Sequence, residues 1–216
     1  VIIRKGCQGK GLGKIIAGKS IVGQFFESAV LTAGKDVQAT YLLNCQLKAN
    51  GKLLVEGRKG VIIGGKTCAK LGVSCNGIGN IAEIATVVSV GIDKEDMTAY
   101  QELQKKIEQT QAELQTCENG LNKLMANPVH DEKVSMMIQR LTRAVYTLKS
   151  SRKELFSERD AQMEQMTKQK EARIQVSGRV YPGTLLFLNE DPFAIKEIYN
   201  NVEFVKHDNR IDTLAH

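Results

Sequence analysis

Apolar residues in the first 92 positions come in short runs of two or three: Ile15-Ile16, Ile21-Val22, Val30-Leu31, Leu53-Leu54-Val55 and Val61-Ile62-Ile63. Between them a small residue, a glycine and a lysine recur, as Ala17-Gly18-Lys19, Ala33-Gly34-Lys35, Asn50-Gly51-Lys52 and Gly64-Gly65-Lys66. The glycines step by 16 (18 to 34), 17 (34 to 51) and 14 (51 to 65) residues. Strands this short, repeated at this period with Gly- and Asn-rich turns, predict a coiled β-solenoid, in which each repeat buries its apolar residues only by stacking on its neighbours.

The period changes near Asp93. Tyr100, Leu103, Ile107, Thr110, Leu114, Cys117, Leu121 and Leu124 alternate steps of three and four, the a/d seam of a helix that packs on another helix. Asp93 followed by Asp96 resembles a capping box at the start. Asn127-Pro128 interrupts the pattern, and Pro128 suits the first position of a second helix, where its missing N–H is harmless. Val134, Ile138, Leu141, Val145, Leu148, Arg152, Leu155, Arg159 and Gln162 continue as a second seam. The connection is short, so the helices are expected to fold back as a long antiparallel coiled-coil hairpin. Arg152 and Arg159 are read as snorkelling, with stems on the seam and heads in water. Met136, Met137, Met163 and Met166 lie near the seam as adaptable surface.

After Ala172 the alternation returns to two, at Ile174, Val176 and Val180, then Leu186 and Leu188. Tyr181-Pro182-Gly183-Thr184 reads as the turn between these strands. Asp191-Pro192 is expected to end the unit, Val202–Phe204 to form a last strand, and the polar tail from Lys206 to fray. The expected organisation is β-helix over 1–92, helical hairpin over 93–172, and closing strands over 173–216 that rejoin the solenoid and cover its open end.

Composition agrees with a solenoid. Aromatics are 5% and Trp is absent, as suits a core of stacked Val, Ile, Leu and Ala. The net charge of +6 is unevenly placed: residues 1–92 hold twelve Lys/Arg against four Asp/Glu, whereas the hairpin and the closing strands are each near neutral. A basic solenoid favours acidic partners. Five cysteines without paired spacing argue against a disulfide framework and for a reducing, cytoplasmic setting. Cys45 and Cys68, in apolar stretches, read as small core residues. No apolar run is long enough to span a membrane, and no signal peptide opens the chain. Because it begins at Val1 rather than Met, we expect a piece of a longer protein.

Motifs that suggest chemistry fail on context. Gly13 to Ser20 fits G-x-x-x-x-G-K-[ST], but Ile21-Val22-Gly23 reads as a strand where a phosphate loop needs a helix. Gly77-Ile78-Gly79-Asn80-Ile81-Ala82 fits a dinucleotide fingerprint and lacks a following helix for the same reason. The three histidines (His130, His207, His216) lie away from the repeats, and Glu27, Asp36, Glu56 and Glu83 are too scattered for acid–base work on polysaccharide. No catalytic, cofactor or metal site is expected. One repeated feature remains. Lys19, Lys35, Lys52 and Lys66 are expected at equivalent repeat positions, about 4.8 Å apart per rung, as a lysine ladder. It either repels edge pairing or docks an acidic protein or an anionic surface. Nucleic acid is disfavoured, because no aromatic platforms interleave the charges.

Four segments together resemble the bacterial flagellar assembly protein A family: Ala33-Gly34-Lys35-Asp36-Val37-Gln38-Ala39-Thr40-Tyr41, Ala49-Asn50-Gly51-Lys52-Leu53, Glu56-Gly57-Arg58-Lys59-Gly60-Val61-Ile62-Ile63-Gly64-Gly65, and Gly178-Arg179-Val180-Tyr181-Pro182-Gly183-Thr184. Their order, with the helical insertion between them, is more specific than any one of them. The resemblance implies a right-handed parallel β-helix with no established enzymatic activity and a role in flagellar assembly or placement at the cell pole, with a further domain ahead of this part. It supplies no site residues. Where the family's turns read Ala-Gly-Gly-Asp, this chain carries Lys, so a basic stripe would be its own. The expected protein is a cytoplasmic scaffold, at the pole or membrane periphery, that binds a protein partner or a second copy through the hairpin. Its rivals are a polymer-forming or membrane-associated, bactofilin-like β-helix and a periplasmic-adaptor-type protein.

Overall fold

The computed structural model describes residues 1–126, 131–208 and 210–215. Two compact units emerge, Val1–Asp93 with Met166–His216, and Lys94–Gln165.

The first unit is a β-solenoid. Strand β1 (Ile2–Ala17) lies parallel to β2 (Ile21–Ala33). The opening residues of β2 start one stack of parallel strands, β3 (Val37–Ala39), β5 (Leu53–Val55), β7 (Val73–Ile78) and β9 (Ile174–Val180). The remainder of β2 starts another, β4 (Tyr41–Ala49), β6 (Val61–Ala69), β8 (Thr86–Val90) and β10 (Thr184–Leu188). Register sets equivalent residues one above the other. Ile21, Val37, Leu53, Val73 and Ile174 form one inward column, and Ala17, Ala33, Ala49, Ala69, Val90 and Leu188 another. Nearly all are fully buried, so each rung desolvates the one below, at roughly 25 cal/mol per Å² of apolar surface removed from water.

Successive rungs bend at Ser28, Asn44 and Gly64, all with positive φ (48°, 50° and 68°). Glycine is required at the third of these, because a Cβ on Gly64 would strike the Asn44 side-chain oxygen. The Gly64 N–H donates to Thr86 Oγ1 at 2.8 Å, which keeps a buried hydroxyl satisfied.

The closing region adds a parallel rung and then reverses. Strand β11 (Asp191–Ala194) pairs antiparallel with β10, β12 (Tyr199–His207) antiparallel with β9, and β13 (Arg210–Ala215) antiparallel with β12. Two expectations are corrected here. Asp191-Pro192 does not end the unit but lies in β11, where Pro192 sits on an edge strand that needs no N–H from it. Residues 210–215 do not fray: β12 offers them a free edge, and six register pairs hold them. Phe193, Tyr199 and Phe204 meet over this end with ring centroids 5.7 to 6.4 Å apart. Antiparallel strands thus cover the parallel rung formed by β9 and β10.

The second unit is built from α1 (Lys94–Met125) and α2 (Glu132–Lys170), whose final turn from Met166 belongs to the first unit. The helices pack on each other: Lys149 Nζ lies 2.9 Å from Glu118, and Gly120 faces Leu141. The seam positions read from the sequence are the less exposed ones in both helices, with Leu103, Ile107 and Leu114 buried. Arg159 places its guanidinium 4.7 Å from the Phe156 ring centre and pairs with Asp160, as a snorkelling residue does. Met136, Met137 and Met163 are half-exposed. The first residue of α2 is Glu132; Asp131 is its N-cap and accepts from the Val134 N–H at 2.7 Å. An aspartate there satisfies an orphan N–H that proline would leave unserved. Asn127-Pro128, His130 and His216 lie outside the described residues.

The chain leaves and re-enters the solenoid unit at one corner, and Asn189 ties the two crossings together. Its side-chain oxygen accepts from the Ile92 N–H at 2.9 Å, and its amide donates to the Lys170 carbonyl at 3.2 Å. Asn189 itself has φ 49°, and a Cβ on Gly91 (φ 89°) would collide with its oxygen. Asn189→Gly keeps the backbone freedom and removes both bonds. We expect a loss of about 1–3 kcal/mol in chemical denaturation, and faster amide hydrogen exchange at Ile92.

Candidate functional site

Three-residue corners join the two stacks of strands: Gly18-Lys19-Ser20, Gly34-Lys35-Asp36, Asn50-Gly51-Lys52 and Lys70-Leu71-Gly72. The flanking core residues fix their frame. Ala17, Ala33, Ala49 and Ala69 are register partners on one side, and Ile21, Val37, Leu53 and Val73 on the other. Backbone bonds continue through the corner, Lys35 N to Lys19 O at 3.1 Å, Gly51 N to Lys35 O at 3.0 Å and Leu71 N to Gly51 O at 3.0 Å. Gly34 and Gly51 are here for space, since a Cβ on Gly34 would strike the Gly18 carbonyl and one on Gly51 the Asp36 carboxylate.

In this frame the four expected lysines are not equivalent. Lys19 and Lys35 stack directly. Lys52 is one position further along, in the column of Ser20, Asp36 and Gly72, and its N–H donates to Asp36 Oδ1 at 2.8 Å. Lys66 is not in a corner at all. It lies within β6, opposite Gln46 on one side and Val87 on the other. The rung that begins at Ala49 takes 20 residues to reach Ala69, against 16 for the two before it, so counting between Gly-Lys pairs lands on the bend glycines Gly64-Gly65. The corner lysine of that rung is Lys70, which turns inward; its side chain is 8% exposed and 3.9 Å from Asp93, which also lies 3.8 Å from Lys48.

Sequence reading missed two cations beside this corner. A groove of about 550 Å³ is lined by Lys52, Leu54, Lys168, Glu171, Arg173 and neighbouring residues of the solenoid unit. Arg173 precedes Ile174, as Lys52 precedes Leu53, so it occupies the Lys52 column; only the register reveals that. Its guanidinium donates to Glu203 at 3.0 Å. With Lys19 and Lys35, the five cations outnumber Asp36, Glu171 and Glu203, so this face can attract an anionic group by charge and hydrogen bonding.

Other candidate chemistry is not assembled. Ile21 opens β2 directly after Gly13 to Ser20, and Gly77-Ile78 end β7 ahead of a turn, so neither glycine motif meets a helix N-terminus. Among the described residues, no three His, Cys, Asp or Glu side chains converge as a metal site. All five cysteines are free. Cys45 is buried as expected, but Cys68 is only half-buried: strand alternation turns it outward beside Lys48, and Thr67 and Ala69 point inward; the second buried thiol is Cys75, on β7. Burial raises the Cys45 thiol above its usual range and pushes Cys75 up to about 12.

A family model for the flagellar assembly protein A β-solenoid domain matches residues 1–211. The chain belongs to that family. No curated protein and no solved structure matched it. For this family member, the match includes the helical insertion as well as the strands on both sides of it. No helix among the described residues is long and apolar enough to cross a membrane.

The thiols give a direct check on the solenoid interior. Cys45 and Cys75 are expected to resist a thiol reagent at pH 8 in the folded protein, while Cys7, Cys68 and Cys117 react. For Cys75 the unfolded thiol ionises near 9.0 and the folded one near 12. Its contribution to stability is therefore complete below pH 9 and declines as pH rises toward 12, with a slope of at most about 1.4 kcal/mol per pH unit. Denaturation midpoints across that range, compared with Cys75→Ala, read the slope directly.

Proposed function

We propose that this family member is a non-enzymatic scaffold for flagellar assembly or for placement of the flagellum at the cell pole. Membership of the flagellar assembly protein A family over residues 1–211 is the observation that carries this reading. In it, residues 1–92 are a right-handed β-helix that serves as a rigid platform, residues 93–172 an antiparallel coiled-coil arm, and residues 173–216 the closure of the platform. The contacts of Glu118 with Lys149 and of Gly120 with Leu141 support the antiparallel course. The protein works in the cytoplasm, at the pole or the membrane periphery.

Lys19 and Lys35 in one column, and Lys52 with Arg173 in the adjoining one, form the docking face for an acidic protein partner, joined by Lys168 at the groove, and Lys66 has no part in it. Stacked backbone bonds hold these cations at a fixed spacing, which lowers the entropy lost when a partner binds. The antiparallel strands over the C-terminal end speak against the end-to-end stacking of a polymer-forming β-helix.

The test is the triple charge reversal Lys19→Glu, Lys35→Glu and Lys52→Glu, used as bait in cells of the source organism. The exposed corner should tolerate it, with stability changing by no more than about 0.5 kcal/mol per site. We expect the acidic partner to be lost and flagellar number or position to change. A bait that keeps its partners would reduce the docking face to a solvated one. Normal flagella in cells lacking the protein would remove the flagellar role itself.

A further inference from the structure

We propose that the helical unit is a self-association element in which two copies pair about a two-fold axis, α1 of one lying along α2 of the other. The inference does not depend on the flagellar role. Its first support is an incomplete seam. Val134, Ile138, Leu141, Val145, Leu148 and Leu155 are only half-buried, and the one buried residue of α2, Gln169, belongs to the solenoid unit. Two helices alone leave this apolar row partly in water; a second pair would cover it as a four-helix bundle does.

Shape supplies the second support. Midway along the pair, Ala112, Thr116, Cys117, Ala144, Thr147 and Leu148 line a shallow groove that is largely apolar. Ala112, Thr116, Cys117, Ala144 and Thr147 are small enough to let a further helix approach to the 8–10 Å typical of packed helices, and Glu113 also lines the groove.

Charge selects the occupant. Residues 107–122 of α1 carry Glu108, Glu113 and Glu118 and no cation. Residues 133–153 of α2 carry six cations and no acid. These stretches lie side by side, as Glu118 and Lys149 show, yet Glu108, Glu113, Arg140 and Arg143 form no ion pair among the described residues. An acidic partner would be repelled by α1 and a basic one by α2. A second copy turned by a two-fold sets each acidic stretch against a basic one, and does so twice by symmetry.

The test uses the full chain. Light scattering across a wide concentration range should give twice the 23.8 kDa chain mass. Arg140→Glu with Arg143→Glu should weaken the dimer roughly tenfold, as should Glu108→Lys with Glu113→Lys, given the small energy of each exposed pair. Helical circular dichroism should stay unchanged in both. Mixing the two variants should restore assembly as a heterodimer, a result that mere damage to the fold would not give. A short bismaleimide should join two copies through Cys117 and fail in Cys117→Ser. A wild-type monomer at every concentration overturns the proposal. So does a dimer indifferent to both charge sets, or variants that fail to assemble when mixed.

Discussion

Parallel strands hold successive rungs of a solenoid about 4.8 Å apart, and that spacing governs everything else in this fold. Each inward side chain must fit directly over its equivalent in the rung below. Ile21, Val37, Leu53, Val73 and Ile174 meet the requirement with aliphatic groups of similar size, and Ala17, Ala33, Ala49 and Ala69 meet it where the strands enter a corner. Phe26 is larger than Leu42 and Ile62, its partners along the column, and its ring takes the space that a Cβ on Gly23 would fill. The backbone ladder runs through bends and corners as well as strands, so a misfit at one rung is felt at the next.

The corners carry the freedom that the columns lack. Where the early rungs need three residues between Ala and the next inward aliphatic, a later one accommodates residues 91–173, including both helices. The same corner holds the stacked lysines on one side and the Lys48–Asp93–Lys70 contacts on the other. Asp93 therefore serves two ends: it stands at the N-terminus of α1, where a negative charge is favoured, and it gives a nearly buried Lys70 a counter-charge.

Much of this was legible in the sequence because two periods are hard to confuse. Alternation at Ile174, Val176 and Val180 and heptads at Leu103, Ile107 and Leu114 both name residues that are buried. The lysine positions were less legible, since Gly-Lys pairs mark turns without saying which turn. Inserting four residues in the rung between Ala49 and Ala69 shifted the frame, so Lys66 was matched to a corner that Lys70, Leu71 and Gly72 occupy. Arg173 was invisible for a related reason: its equivalence to Lys52 exists only once Ile174 is known to sit above Val73. The β13 strand was missed because Ile211 and Leu214 in Arg210–Ala215 do not keep the alternation of two, and the strand forms on the edge that β12 lends it.

The clamp at Asn189 bears on how such a chain can find its fold. Val73 and Ile174 are neighbours in space but far apart in sequence, a contact whose closure entropy would ordinarily slow assembly. Helices that fold on themselves deliver Ile92 and Lys170 already close together, so the search resembles closing a short loop. By the same argument, whole heptads added to both helices would lengthen the insertion while Asn189 still met the same two backbone groups, making its reach a property that can change without disturbing a single rung.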